Sequence, residues 1–358
     1  MTSCATAGEP PSTQAAVDAQ AQWEIDLFGG TRAQVAAADA RAESAALAWH
    51  GARISLAAEV AQTYVSLRSC EAQLAVLQED VASQNKIDEL TREKVRVGFE
   101  APANGHLARA AAADARNRAT ATQADCAALV QALAVLTAQS AQALAPQLAQ
   151  RTATLPQPKA FSVLAVPAQV LAQRPDVSAA ERDLVAAAAD VGVADAARYP
   201  RITIGGSLGL GLLRVGGQSS DGLNWGFGPQ LSLPIFDGGA RAAQQDAARA
   251  RYDAARSGLD AKLRSAAFEV EEALIRLSAA ERREADAQAA AQGFKDFFNA
   301  AEARWRVGAG SLIEREDARR TALTAQSGLL TVQRERVAAW ITLYRSVGGG
   351  WSSADALQ

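Results

Sequence analysis

Residues 200–237 read PRITIGGSLGLGLLRVGGQSSDGLNWGFGPQLSLPIFD. From Arg201 to Leu212 the residues alternate. Ile202, Ile204, Leu208, Leu210 and Leu212 fall on one face, and Thr203, Gly205, Ser207, Gly209 and Gly211 on the other. The Gly/Ser/Asp-rich stretch from Val215 to Gly222 reads as a turn. After it, Trp225, Phe227, Leu231, Leu233 and Ile235 share a face opposite Asn224, Gly226, Gly228, Gln230 and Ser232. Period-two alternation specifies strands with one apolar and one small or polar face. Each run of roughly 11–12 residues is long enough for a tilted strand to cross the hydrocarbon core of a bilayer. Two placements fit this hairpin. It can cover one side of a soluble core with its polar face in water. It can also span a membrane, but then it must borrow strands from other copies, because unpaired edge N–H and C=O groups in lipid cost several kcal/mol each.

Outward from the hairpin the chain is helical. It has 358 residues and a formal net charge of −3, so charge gives no reason to expect a nucleic-acid partner. Hydrophobic residues make up 49% but aromatics only 5%. Alanine supplies much of the difference, and alanine favours helix while burying little area, which suits long helices that approach closely. Cys4, Cys70 and Cys126 show no CxxC or zinc spacing, and their odd number argues against a disulfide framework. His50 and His106 lie in Ala-rich helical surroundings and read as packed or solvated side chains rather than ligands. No metal or cofactor site is expected. The start, MTSCATAGEPPSTQ, has neither the basic beginning nor the apolar core of a signal peptide, and no segment reads as a transmembrane helix.

Residues 1–21 are rich in Ala, Ser, Thr, Pro and Gln and read as disordered. QWEIDLFGG (Gln22 to Gly30) reads as the tail of a strand ending in a Gly–Gly bend. A helix then runs from Thr31, its expected N-cap, to Val97, with Leu56, Val60, Tyr64, Leu67, Leu74, Leu77 and Val81 as a heptad-like seam. GFEAPANG makes a turn, and a helix returns from His106 to about Gln139. Pro146 to Pro158 reads as a linker, followed by a short helix near Pro167–Gln173. Asp176 or Ser178 caps a further helix that ends before Pro200. Beyond the strands, a second long helix runs from Ala240 to about Val307, with Leu263, Ala267, Val270, Leu274 and Leu277 as its seam. VGAGS turns it into a return helix from Leu312 to about Val347.

These halves are one design used twice. Gly29-Gly30-Thr31-Arg32 matches Gly238-Gly239-Ala240-Arg241 at an offset of 209. Val60, Tyr64 and Leu67 match Val270, Leu274 and Leu277 at 210, as Arg96-Val97-Gly98 matches Arg306-Val307-Gly308. The expected organisation is a tail of 1–21, a first repeat of 22–142, a linker of 143–175, a second repeat of 176–351 and a C-terminal tail of 352–358.

The set of motifs resembles the TolC-like outer membrane efflux proteins, specifically the NodT/OprM-type lipoprotein branch. WEIDLFGGTR (Trp23 to Arg32) and LPIFDGGARA (Leu233 to Ala242) are similar to its two strand-to-helix junctions. LAQRPDVSAAERDLVAAAADVGVADAARYPRITI (Leu171 to Ile204) is similar to its most diagnostic central segment. RWRVGAGSLIEREDARR (Arg304 to Arg320) and LYRSVGGGW (Leu343 to Trp351) complete the match over about 22–351.

The resemblance implies a mainly α fold with a membrane β-hairpin. Long antiparallel helices would join an α-barrel, and strands from a homotrimer would close a 12-stranded β-barrel in the outer membrane of a Gram-negative bacterium. Thr203, Ser207, Asn224, Gln230 and Ser232 would face the lumen. Ile202, Ile204, Leu208, Leu210, Trp225, Phe227 and Leu231 would face outer membrane lipid. Ile313, Asp317 and Arg320 fall on the positions of the family's periplasmic gate, and Asp317 and Arg320 are spaced to pair within one helix. Asn104 stands where the family often has an acid. The helix-turn tips at Gly98, Gly308 and Ser311 would dock a periplasmic adaptor (membrane fusion) protein, which links the channel to an inner membrane pump. The function implied is a conduit for drugs or other small solutes, not catalysis.

The family also places a signal peptide, a lipidated cysteine, two helices and a first strand ahead of the WEIDLFGG junction. Cys4 follows only Met-Thr-Ser and is not expected to be lipidated. On this reading the chain is N-terminally truncated, by a late-called start or a shortened gene. It then holds two strands and a fragment of a third, too few for three copies to close the family's barrel. Two alternatives stand beside the channel: a non-membrane coiled-coil scaffold with the hairpin packed on helices, and a non-functional fragment of the channel. An enzyme is disfavoured because no phosphate loop, GxSxG or HExxH is present.

Overall fold

The computed structural model describes residues 12–157, 173–215, 218–349 and 351. Among these are three strands, β1 (Ser12–Ile25), β2 (Arg201–Val215) and β3 (Gln218–Ser232). Six helices accompany them: α1 (Gly30–Arg96), α2 (Pro102–Thr137), α3 (Ala141–Ala149), α4 (Pro175–Ala196), α5 (Ala240–Arg306) and α6 (Leu312–Ser346). Cys4 and the helix expected near Pro167–Gln173 lie outside the described residues, apart from Gln173 itself. The chain divides into two compact units, Met1–Ala45 with Ala179–Asp260, and Ala46–Ser178 with Ala261–Gln358.

In the first unit β1, β2 and β3 form one antiparallel sheet in that order. This corrects two expectations. The segment read as a disordered tail becomes, from Ser12 onward, a 14-residue strand paired with β2 along its whole length. From Gln218 to Gly222 the stretch read as a turn is strand. Pairing continues to Val215↔Gln218, so β2 and β3 have 15 residues each, while Leu233 and Ile235 fall beyond β3.

Both strand-to-helix junctions are built alike. Asp26 accepts hydrogen bonds from the Thr31 and Arg32 backbone N–H groups at 3.1 and 3.0 Å and from Arg32 Nε at 3.1 Å. Asp237 accepts from the Gly239 and Arg241 N–H groups at 3.0 and 3.2 Å, with Arg241 Nε at 3.5 Å. Each carboxylate satisfies free N–H donors at the positive end of a helix dipole. The cap of α1 is therefore Asp26 and not Thr31. Burial pulls the Asp26 carboxyl upward, but the Arg32 and Thr31 donors and the Arg32 charge outweigh it and hold it below the usual carboxylate range. Close packing follows at once: a Cβ on Gly30 would meet Ala196 Cβ at 3.1 Å, and Phe28 stacks on Tyr199 at 4.6 Å.

The repeat is visible in equal helix lengths. α1 and α5 have 67 residues each, and α2 and α6 have 36 and 35. The tips match as well. Gly98 and Gly308 have φ of 79° and 78°. The Gly98 and Phe99 N–H groups bond back to Val95 and Lys94, as those of Gly308 and Ala309 bond to Trp305 and Arg304. A left-handed residue with this pair of back-bonds closes a helix end, and glycine adopts it without the Cβ penalty.

The first hairpin is cored by Leu67, Cys126, Leu133 and Leu144, with Val60, Tyr64 and Leu74 packed against them. The second is cored by Val270, Ala273 and Leu343, with Leu274 and Leu277. Both seams follow the predicted heptad positions, although Leu56 is exposed. Ala108, Ala111, Ala112 and Ala115 line a buried face of α2, where small side chains let helices approach closely.

Two expectations are corrected here. Cys70 and Cys126 are disulfide-bonded, because the helical hairpin brings their Cα atoms to 5.6 Å. The odd cysteine count argues against a disulfide framework, and the structure holds this one bond among the described residues. Residues read as linker fold as α3, capped by Ser140 Oγ accepting from the Ala143 N–H at 3.2 Å and anchored by buried Leu144. By length and composition alone α2 is apolar enough to cross a bilayer, a property its many alanines confer while Ala108, Ala111, Ala112 and Ala115 pack in the interior.

Candidate functional site

Cross-strand partners lie on the same face of an antiparallel sheet, so the register assigns both faces. One face carries the rows Ile25–Ile202–Leu231, Trp23–Ile204–Pro229, Ala19–Leu208–Trp225 and Val17–Leu210–Leu223. The other carries Glu24–Thr203–Gln230, Gln22–Gly205–Gly228, Gln20–Ser207–Gly226 and Asp18–Gly209–Asn224. The expected lipid-facing and lumen-facing residues are therefore separated onto opposite faces. Leu208, Leu210, Trp225, Phe227 and Leu231 are exposed, Trp225 and Phe227 by 75% and 76%, while Ile202 and Ile204 are half-buried. Ser207, Asn224, Gln230 and Ser232 are exposed, but Thr203 is buried.

β1 extends both faces with residues that the sequence reading did not assign. Val17 and Trp23 join the apolar face, and Asp18, Gln20, Gln22 and Glu24 join the polar one. Gly209 has a steric role within this arrangement, since a Cβ there would stand 1.9 Å from Asp18 Oδ1. The rows on this face run without a charge from Ile202 to Leu210, and in the next row Asp221 stands opposite Leu212. That depth of nine residues matches the lower end of a tilted crossing of a bilayer, about 9–11 residues.

At the helix tip Ser311 opens α6 with a capping box. Its Oγ accepts from the Glu314 N–H at 3.1 Å, and Glu314 Oε2 accepts from the Ser311 N–H at 3.1 Å. This fixes the first turn of α6, and along the helix from it Ile313, Asp317 and Arg320 are exposed. Asp317 and Arg320, though spaced to pair, form no ion pair among the described residues. Arg320 borders an open groove of about 800 Å³ between α5 and α6, together with Arg283, Phe294 and Leu329. On the other tip Asn104 donates to Glu100 Oε1 at 2.6 Å.

The sequence reading missed what lies behind this exposed face. EREDARR reads as a solvated charged helix, yet Arg315, Glu316 and Arg319 are buried. Arg319 Nη1 donates to Asp80 Oδ1 at 2.6 Å and its Nε to Glu316 Oε2 at 2.9 Å. Arg315 pairs with Glu316, donates to Ser83 Oγ at 3.2 Å and stands 3.7 Å from Glu302. Gln84 donates to Glu316 at 3.4 Å, and Arg118 lies 3.5 Å from Asp80. Buried charges are tolerated only when paired and hydrogen-bonded, and this cluster is built from α1, α2, α5 and α6. Its visible signal was a mismatch: α6 charges fell on the helix face that the apolar Leu312 and Ala318 also occupy. Among the described residues no group of three or more His, Cys, Asp or Glu is placed to hold a metal.

A family model described as "Outer membrane efflux protein" matches residues 2–147 and 166–349. The chain belongs to the outer membrane efflux protein family. It is 31% identical over 346 residues to outer membrane protein OprJ of Pseudomonas aeruginosa, covering 94% of this chain and 70% of that one. It is 30% identical to the toluene efflux pump outer membrane protein TtgC of Pseudomonas putida, covering 92% and 68%. Among solved structures, the outer-membrane channel OprN superposes with a TM-score of 0.83 at 27% identity, over 96% of this chain and 82% of that one. The TolC-like fold, the efflux family and the outer membrane location expected from the motifs therefore hold.

Family membership gives the RPD segment a structural reading. Arg174 is buried and donates from Nε and Nη2 to the two Asp176 oxygens at 3.0 and 2.9 Å. It also donates to Glu269 at 2.8 Å and to the Ser346 carbonyl at 3.0 Å. One guanidinium thus joins the start of α4, the middle of α5 and the end of α6 of this efflux protein. Pro175 takes the first helical position, where a missing N–H costs nothing. Burial raises the Asp176 carboxyl, but Arg174 and then Lys262, 3.2 Å away, outweigh it and hold it below the usual carboxylate range.

Proposed function

We propose that this chain is the outer membrane channel of a tripartite, RND-type efflux system, a passive conduit carrying drugs or other small solutes from periplasm to exterior. The observation that carries the reading is the sheet. Its apolar face is uncovered across a bilayer's depth while its opposite face is Gln, Ser, Asn, Asp and Gly. Such a sheet is stable in lipid only when its edges are closed, and β1 and β3 each have one unpaired edge. In the family's trimeric 12-stranded barrel the three described strands of each protomer would supply nine strands, and closure of that barrel leaves no edge unpaired. Thr203, Ser207, Asn224, Gln230 and Ser232 then line a water-filled lumen, joined by Gln20 and Gln22. Ile313, Asp317 and Arg320 form rings at the periplasmic gate, and the tips at Gly98, Gly308 and Ser311 receive the adaptor that couples the channel to an inner membrane pump. The same uncovered face disfavours a soluble scaffold, which would have to shield Trp225 and Phe227 from water.

The test is complementation. In a strain lacking its own outer membrane channel but retaining adaptor and pump, this chain is expected to lower steady-state accumulation of a fluorescent pump substrate several-fold. Accumulation equal to the empty-vector strain, with the protein present in the outer membrane fraction, contradicts the reading.

A further inference from the structure

The polar face of the sheet is almost free of charge. From Arg201 to Leu213 on β2, and along their partners on β1 and β3, the titratable side chains of that face are Asp18, Glu24 and Arg201. Glu24 and Arg201 stand 3.4 Å apart and cancel. Asp18 has no such partner: among the described residues no hydrogen bond or ion pair reaches its side chain. The six residues between its position and that of Glu24 span about 20 Å of strand. That exceeds the roughly 10 Å over which charges act at about 0.1 M salt, so the pair does not offset Asp18.

The wall beside Asp18 is shaped to receive its carboxylate. Gly209 is its cross-strand partner on β2, and Asn224 follows on β3. A Cβ on Gly209 would stand 1.9 Å from Asp18 Oδ1 and 3.0 Å from its Cγ. The carboxylate therefore lies across β2, in the space that a side chain there would fill. The rows on either side, Gln20–Ser207–Gly226 and Ala16–Gly211–Gly222, carry no charge. At the helix tip, by contrast, Ile313, Asp317 and Arg320 sum to zero.

We propose that Asp18 sets the charge preference of the lumen, so that the strands favour small organic cations over anions. This deepens the channel reading of the sheet and rests on it. A trimeric barrel holds three Asp18 carboxylates at one level. A water-filled passage with low-dielectric walls focuses the field of such charges, and a ring of carboxylates is one way a pore selects cations. The preference belongs to the strands rather than to the tip of α6, and it fades as salt screens it.

Reversal potentials of the full chain in planar bilayers test this, under gradients of KCl and of tetramethylammonium chloride. At about 0.01–0.1 M salt, where the screening length is about 30–10 Å, the wild type is expected to favour the cation several-fold. Asp18→Asn is expected to bring the permeability ratio toward one, and Asp18→Lys to invert it. Gly209→Ala displaces the carboxylate without removing its charge and is expected to keep the sign. At about 1 M, where the screening length is about 3 Å, the wild-type ratio is expected to approach one. Asp317→Ala/Arg320→Ala is expected to retain the cation preference. Conducting protein whose ratio is the same with Asp18→Asn and Asp18→Lys as in the wild type overturns the inference and leaves the conduit standing. So does a preference abolished by the tip variant. Correctly folded wild type that gives no conductance contradicts the conduit, and the inference falls with it.

Discussion

Arg319 donates from Nη1 to Oδ1 of Asp80 at 2.6 Å, tying the first turns of α6 to the interior of α1 with both side chains buried. This bond connects the two repeats directly behind the exposed Ile313, Asp317 and Arg320. Removing one member strands the other charge away from water, which costs about 3–5 kcal/mol. Asp80→Ala and Arg319→Ala are each expected to lower the melting temperature of the detergent-solubilised protein sharply. Asp80→Leu/Arg319→Met, which removes both charges, is expected to recover part of the loss. The double-mutant cycle measures the coupling. Additive losses would show that the pair is not a unit.

The Arg174–Asp176 hub predicts a pH dependence with a definite sign. The folded-state pKa of Asp176 is depressed, so its contribution is fully present above the unfolded value of about 3.9 and is lost as pH falls through the lower folded value. Asp176 faces Arg174 and Lys262, and Arg174 also faces Glu269. Asp176→Asn is therefore expected to melt below the wild type at pH 7, with the gap narrowing as pH falls below about 4. Melting curves of both proteins from pH 7 to 3 check this. A gap that widens in acid would contradict it.

The two sheet faces predict opposite tolerances. Trp225→Arg places a charge on the uncovered apolar face, where at mid-depth it costs about 2–4 kcal/mol. Gln230→Arg, on the polar face, is expected to fold into lipid vesicles as the wild type does. Heat-modifiable gel mobility after refolding separates the two, and equal yields would count against the face assignment.

The tips predict a matched pair of small effects. Gly98 and Gly308 have positive φ and open space around a would-be Cβ. Gly98→Ala and Gly308→Ala therefore report backbone strain alone, about 1–2 kcal/mol each. Thermal melts of the two variants are expected to agree closely, because the turns share their hydrogen bonds.

The alternation in β2 and β3 and the repeated strand–helix–turn–helix order were legible because large apolar residues mark the period. β1 was not. Its apolar face holds Ala15, Ala19 and Ala21 and its polar face Asp18 and Glu24 among glutamines, and Ala, Asp and Glu are depleted in strands. Only pairing with β2 makes the period Val17–Ala19–Ala21–Trp23 meaningful. The partners of the buried Arg315–Glu316–Arg319 cluster were illegible for a related reason. Charge spacing along one helix cannot show that Asp80, 239 residues away, supplies the counter-charge. The disulfide was obscured by a third cysteine, since parity says nothing about which two helix faces meet. The caps at Asp26 and Asp237 were within reach, because each carboxylate precedes its Gly–Gly bend at nearly the repeat offset.

Conductance across a planar lipid bilayer tests the channel account most directly. The wild-type protein is expected to give discrete steps of low conductance, and Asp317→Ala/Arg320→Ala to give larger ones, because the proposed gate would lose the charged side chains that narrow it. Unchanged steps would remove Asp317 and Arg320 from the gate. An absence of any step from correctly folded protein, wild type and variant alike, would contradict the conduit itself.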